Sequence, residues 1–128
     1  MVARGDDGLD KLTTTGYSRL WVVHSGTATE TVFDPRSLGL RPSSLADLRG
    51  GTAAYNAQLL RALVRGVHSP VRDVVLLNAA AALSTLSLHS GPLLDVMADC
   101  LEHCRTAVDS GRTADLLDRW TSTSGSSR

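Results

Sequence analysis

The sequence is poor in aromatic residues, which make up 4% of its 128 positions. Its core must therefore be built from Leu, Val and Ala, and so from helix and strand patterning rather than from a few large rings. Cysteine is scarce as well: Cys100 and Cys104 are the two in the chain, close together in a helical pattern. That leaves no disulfide framework and fits a reducing, cytoplasmic setting. There is no surplus of charge, since 13 basic residues balance 13 acidic ones. Nucleic acids and anionic membranes both favour an excess of Lys and Arg, so neither is expected as the main partner. No apolar run approaches the ~20 residues that cross a bilayer. The first ten residues are acidic and glycine-rich, unlike a secretory signal. What remains is a chain of ordinary hydrophobic content, 42%, long enough for one domain or a piece of a larger one.

The stretch richest in chemistry is Gly5-Asp6-Asp7-Gly8-Leu9-Asp10-Lys11-Leu12-Thr13-Thr14-Thr15-Gly16. It places three carboxylates within five positions. Glycines let a backbone come close to a ligand, and carboxylates take a hard cation. The same composition also makes an ordinary solvated turn. The three threonines are either hydroxyl donors to a phosphate or a β-prone entry to the next strand.

Residues 19–24 (Arg-Leu-Trp-Val-Val-His) read as a strand and 27–33 as its return, joined by Ser25-Gly26. Asp34-Pro35 breaks the pattern, and one helical turn is expected near Leu38. A short helix is expected from Ser43 or Ser44 to about Arg49, with Asp47 in capping-box spacing. Thr52 caps a clear helix to about Arg65. Ser69-Pro70 opens the next, over 71–88, whose stretch 74–83 holds a single polar residue, Asn78. A helix apolar nearly all round is expected to be buried nearly all round, with Asn78 paired to some partner. Ser90-Gly91-Pro92 starts a further helix with Leu93, Leu94, Met97, Leu101, Cys104 and Val108 as its stripe. Thr113 caps a last one facing inward through Leu116, Leu117 and Trp120. Residues 121–128 read as a disordered tail behind a structured unit, 1–120. Cys100, His103 and Cys104 on one helix read as core and rim rather than zinc ligands, because structural zinc sites draw on paired clusters. His24, His68 and His89 are scattered.

A hairpin followed by four or five helices is an odd order for a self-contained domain, since two strands make an unstable sheet alone. The expectation is a C-terminal segment of a larger α/β domain, with further strands supplied from outside it. Four patches, in order, strengthen that expectation. They are the loop just described, Phe33-Asp34-Pro35 with Leu38-Gly39-Leu40, Leu45-Ala46-Asp47-Leu48-Arg49-Gly50-Gly51 followed by Asn56-Ala57, and the run from Pro70-Val71-Arg72-Asp73 through Asn78 to Leu83. Together they resemble the C-terminal portion of the anthranilate phosphoribosyltransferase family.

The resemblance implies an α/β fold of the phosphoribosyltransferase and nucleoside-phosphorylase kind. It also implies a transferase of tryptophan biosynthesis that joins anthranilate to phosphoribosyl pyrophosphate and releases pyrophosphate, with magnesium (Mg2+). In that family an adjacent Asp and Glu serve the metal. Asp10 matches the Asp, whereas Lys11 stands at the Glu position and Arg4 where a His is usual. Asp10 is thus the candidate metal ligand, in a site expected to be impaired. The roles of Asp6 and Asp7 stay open. The family's glycine-rich pyrophosphate cradle and its anthranilate-binding arginine have no counterpart here. The chain alone is therefore not expected to be active without an N-terminal portion or a homodimer partner. The alternative expectation is a non-catalytic remnant that keeps the family's helical packing unit.

Overall fold

A computed structural model describes residues 1–86 and 91–125. Its strands are β1 (Val2–Gly5), β2 (Ser18–His24) and β3 (Thr27–Phe33). β2 and β3 form the expected hairpin, in register from Ser18↔Phe33 to His24↔Thr27. The turn residues Ser25 and Gly26 both have positive φ, 49° and 77°. That is the mirror-image turn whose twist matches paired strands. Glu30 on β3 accepts from Arg19 (2.8 Å) and from the Trp21 indole (3.1 Å), tying the exposed face across the pair.

β1 was not anticipated. It pairs antiparallel with β2 from Val2↔Trp21 to Gly5↔Ser18, giving the order β1-β2-β3. Four residues ending in glycine carry too little alternation to read as a strand, and the ladder of β2 makes them one. One strand expected from outside the chain therefore lies within it. The far side of β3 stays unpaired among the described residues, and only Phe33 of that strand is buried.

The helices are α1 (Ala53–Val64), α2 (Pro70–Ser84), α3 (Leu93–Asp109) and α4 (Arg112–Gly125), after a 3-10 turn at Pro35–Leu38. Thr52 accepts from the Tyr55 N–H at 3.3 Å, and Ser69 from the Arg72 N–H at 3.1 Å, so these two expected caps form. The cap expected at Thr113 does not, because α4 already begins at Arg112 and the Thr113 hydroxyl donates to the Ala107 carbonyl at 3.0 Å. The helix expected over 43–49 does not form. Its capping box closes, with Asp47 accepting from the Ser44 N–H (2.8 Å) and hydroxyl (2.7 Å), but it encloses only a turn. Leu45 is exposed and Leu48 only half-buried, so little apolar burial stabilises further turns before Gly50-Gly51.

α2 and α3 pack as the central pair, burying Leu76, Leu77, Ala80, Met97 and Leu101 in a core shared with Leu12 and Leu20. α2 is shorter than expected, ending at Ser84; 87–88, with His89, lie outside the described residues. Nor is it buried all round. Val75, Ala79, Ala82 and Leu83 are exposed, at three- and four-residue spacing on one face. Apolar content sets how much a helix gains by burial; it does not supply the neighbour. α4 departs in the same way. Leu117 is half-buried, but Leu116 is exposed and Trp120 is 71% exposed, because only one side of α4 meets α3 and α1. α4 also outruns the expected limit at residue 120. Residues 121–125 are helical, with the Thr121, Ser122, Thr123 and Ser124 hydroxyls donating to carbonyls one turn back, and 126–128 lie outside the described residues.

Candidate functional site

The loop between β1 and β2 is fixed by bonds that local pattern does not reveal. Asp7 is its hub. Asp7 Oδ1 accepts from the Leu9 N–H at 3.1 Å, and Oδ2 from the hydroxyls of Thr13 (2.5 Å) and Thr15 (2.6 Å). The Gly5 N–H reaches back to the Leu9 carbonyl at 2.8 Å, and the Asp6 N–H to the Tyr17 carbonyl at 2.9 Å. A Cβ at position 5 would collide with Asp7 Oδ1 and stand 3.1 Å from the Thr13 methyl, so only glycine fits there. The Thr14 hydroxyl pairs with that of Ser43 at 2.6 Å. Thr13 and Thr14 are buried, and the three hydroxyls bind within the protein. They are not the strand entry, since β2 begins at Ser18; in this structure their hydroxyls brace the loop.

The second anchor is Asn78. Its Oδ1 accepts from the Leu12 N–H at 3.0 Å, and its Nδ2 donates to the Leu12 and Val74 carbonyls, both at 2.8 Å. The partner expected for this polar residue is thus inside the chain, 66 positions away. The segment bearing Asp10 and Lys11 is held by the Asp7 hub on one side and the Asn78 clamp on the other. Asp10 is highly exposed, and the Lys11 ammonium donates to its Oδ1. That hydrogen bond and the positive charge hold the Asp10 carboxyl below its usual range.

Burial pushes the Asp7 carboxyl up, but the hydrogen bonds from Thr13, Thr15 and Leu9 together outweigh it and hold it below the usual aspartate range. A depressed folded-state value stabilises the fold above the unfolded value and ceases to do so as pH falls through the folded one. Asp7→Asn is therefore expected to lower stability at pH 7 by about 1–2 kcal/mol, and to flatten the loss of stability below about pH 4. Thermal unfolding of both proteins between pH 6 and 2 checks this. Equal acid dependence would exonerate Asp7.

Beside the loop lies a hollow of about 240 Å³ lined by residues 14–17 and 34–36. In it Arg36 pairs with Asp34 (2.7 Å) and donates to the Tyr17 hydroxyl (2.9 Å). Sequence reading took Asp34-Pro35 for a strand breaker and missed this grouping. Away from the loop, the buried Arg72 bonds Asp109 at 2.6 Å and His68 at 3.3 Å, joining the start of α2 to the end of α3. Burial pushes both cysteine thiols up, as suits core residues. Among the described residues no three His, Cys, Asp or Glu side chains gather in a group that could hold a metal.

Against known proteins, a family model described as "Glycosyl transferase family, a/b domain" matches residues 1–114. An anthranilate phosphoribosyltransferase of Streptomyces avermitilis is 49% identical over 124 residues, which are 97% of this chain and 35% of that relative. A solved anthranilate phosphoribosyltransferase from Saccharomyces cerevisiae, in complex with 4-fluoroanthranilate, superposes on 97% of this chain and 35% of its own with a TM-score of 0.82 at 18% identity. The yeast enzyme in complex with PRPP and Mg gives 0.77 at 18% identity, over 91% of this chain and 32% of its own. The chain thus spans about a third of the length of the relatives it matches. The yeast likenesses show the fold, and the three-stranded sheet with its helices is part of an α/β domain.

Proposed function

Because the chain belongs to the glycosyl transferase family with an a/b domain, and matches a C-terminal portion of anthranilate phosphoribosyltransferases, we propose that it serves as that portion of such an enzyme. On this reading the β1–β2 loop faces phosphoribosyl pyrophosphate. The reaction forms a bond from the anthranilate nitrogen to the ribose carbon and breaks that carbon's bond to pyrophosphate. The nitrogen loses a proton. Most of the substrate cradle comes from the rest of the domain, which this chain does not span.

The observation that carries the reading is continuity. The likeness covers 97% of the chain, with the loop in place between β1 and β2 and wired to α2. The surface supports it. The chain exposes 8194 Å², whereas a compact monomer of 13.6 kDa exposes about 6,600 Å². The difference is about 1,600 Å² on this chain alone, about twice one partner's share of a standard protein interface. A packing unit without catalysis is the second reading, favoured by the Lys11 ammonium on the Asp10 carboxylate.

Calorimetric titration of phosphoribosyl pyrophosphate with Mg2+ into the chain alone is expected to show no micromolar binding. Co-expression with the first two-thirds of the Streptomyces avermitilis relative is expected to give a complex that turns over. Micromolar binding by the chain alone, lost in Asp10→Ala, would contradict the need for a partner. An inert complex would favour the packing unit.

A further inference from the structure

The residues of the loop do not fit a divalent cation, and we infer that Lys11 is the determinant: it makes the loop refuse the ion and leaves a fixed positive charge at its apex. This deepens the reading above and rests on it only for where the loop points. Mg2+ keeps most of its waters and relies on one or two carboxylates, so each carboxylate matters. In this loop Asp7 and one oxygen of Asp10 are engaged, which leaves Asp6 as the third carboxylate for the test to exclude. Both oxygens of Asp7 hold donors, from Leu9, Thr13 and Thr15. Asp10 Oδ1 holds the Lys11 ammonium.

The backbone fixes this arrangement. The Asn78 clamp grips Leu12, the residue after Lys11, through both its N–H and its carbonyl. The Asp7 hub grips Leu9, the residue before Asp10. A cation approaching Asp10 therefore meets Lys11 at close range. The loop cannot shift to offer Asp7 instead without breaking three hydrogen bonds. Lys11 is half-exposed and its ammonium pairs with the highly exposed Asp10, so a change of charge there is one the fold can accept.

The test uses Mn2+ alone, without phosphoribosyl substrate, so that failure here is distinct from failure of the functional reading. Amide signals of the loop are followed by NMR as Mn2+ is added to the wild type, Lys11→Met and Lys11→Glu. Wild type is expected to show no broadening centred on residues 9–12. Lys11→Glu, which exchanges an adjacent cation for an anion, is expected to bind Mn2+ at least about tenfold tighter, with broadening centred there. Lys11→Met should fall between. Unchanged amide signals outside the loop in the absence of Mn2+ confirm that the variants keep the fold. Wild type broadening like Lys11→Glu, a silent Lys11→Glu, or broadening centred on Asp6 would each overturn the inference.

Discussion

Asn78→Leu is expected to lower the unfolding free energy by about 3 kcal/mol and the melting midpoint by roughly 10 °C. Leucine keeps the shape and removes every polar contact. Asn78 closes a two-bond ring with Leu12, accepting at 3.0 Å and donating at 2.8 Å. Leu12 is fully buried, so its orphaned N–H and carbonyl have little access to water. Each such loss costs about 1–3 kcal/mol. Loosening of the loop gives part of that back as chain entropy. Asn78→Asp keeps the acceptor for the Leu12 N–H but turns a carboxylate toward the Leu12 and Val74 carbonyls, and should also destabilise. Urea unfolding gives the size of the effect, and hydrogen exchange at Lys11 and Leu12 locates it. A loss below about 1 kcal/mol with the loop still protected would mean that the clamp does not hold the loop.

This clamp also marks the limit of what the sequence discloses. The hairpin was legible, because residues 19–24 and 27–33 are rich in β-branched and aromatic side chains and Ser25-Gly26 is a local turn signal. So were the caps at Thr52 and Ser69, which act on their own next turn. Asp10 and Lys11 were singled out through the family resemblance, as the metal position and its altered neighbour; their pairing at the exposed apex of the loop is a finding of the structure. The hub at Asp7 was not, because its partners are identified by three-dimensional closure and not by periodicity. Asn78 was expected to find a partner, yet nothing in a helical run names a backbone 66 residues earlier. β1 was illegible for a related reason: four residues become a strand only when β2 supplies the ladder. The sequence also overstated burial for α2 and for the inward face of α4. Composition reports an affinity for apolar neighbours, and the described chain offers those helices neighbours on one side only.

That unmatched side sets the remaining expected result. The wild-type chain should self-associate at tens of micromolar or above, and Val75→Glu with Leu83→Glu should render it monomeric, a shift of about a hundredfold or more in Kd. Val75 and Leu83 are 44% and 38% exposed, and Ala79 and Ala82 lie on the same exposed face between them. Four apolar residues in one stripe form a helix surface that a partner can cover closely, since two are alanine. Covering a valine and a leucine gains about 3 kcal/mol together, and burying two unpaired carboxylates there costs more. In the monomer the four positions already meet water, so the double variant should unfold within about 0.5 kcal/mol of wild type. Analytical ultracentrifugation across a concentration series checks the first claim, and urea unfolding the second. If association persists in the double variant but is lost in Leu116→Glu with Trp120→Glu, the sticky surface is α4 instead. If both variants still associate, the open edge of β3 becomes the contact to block, because an unpaired strand recruits another through backbone hydrogen bonds whatever side chains it carries. A wild type that stays monomeric at every concentration would mean that the stripe on α2 attracts no copy of itself, and that its match is a surface of different shape. The co-expressed N-terminal two-thirds of a relative would then be the partner that protects Val75 and Leu83 from solvent.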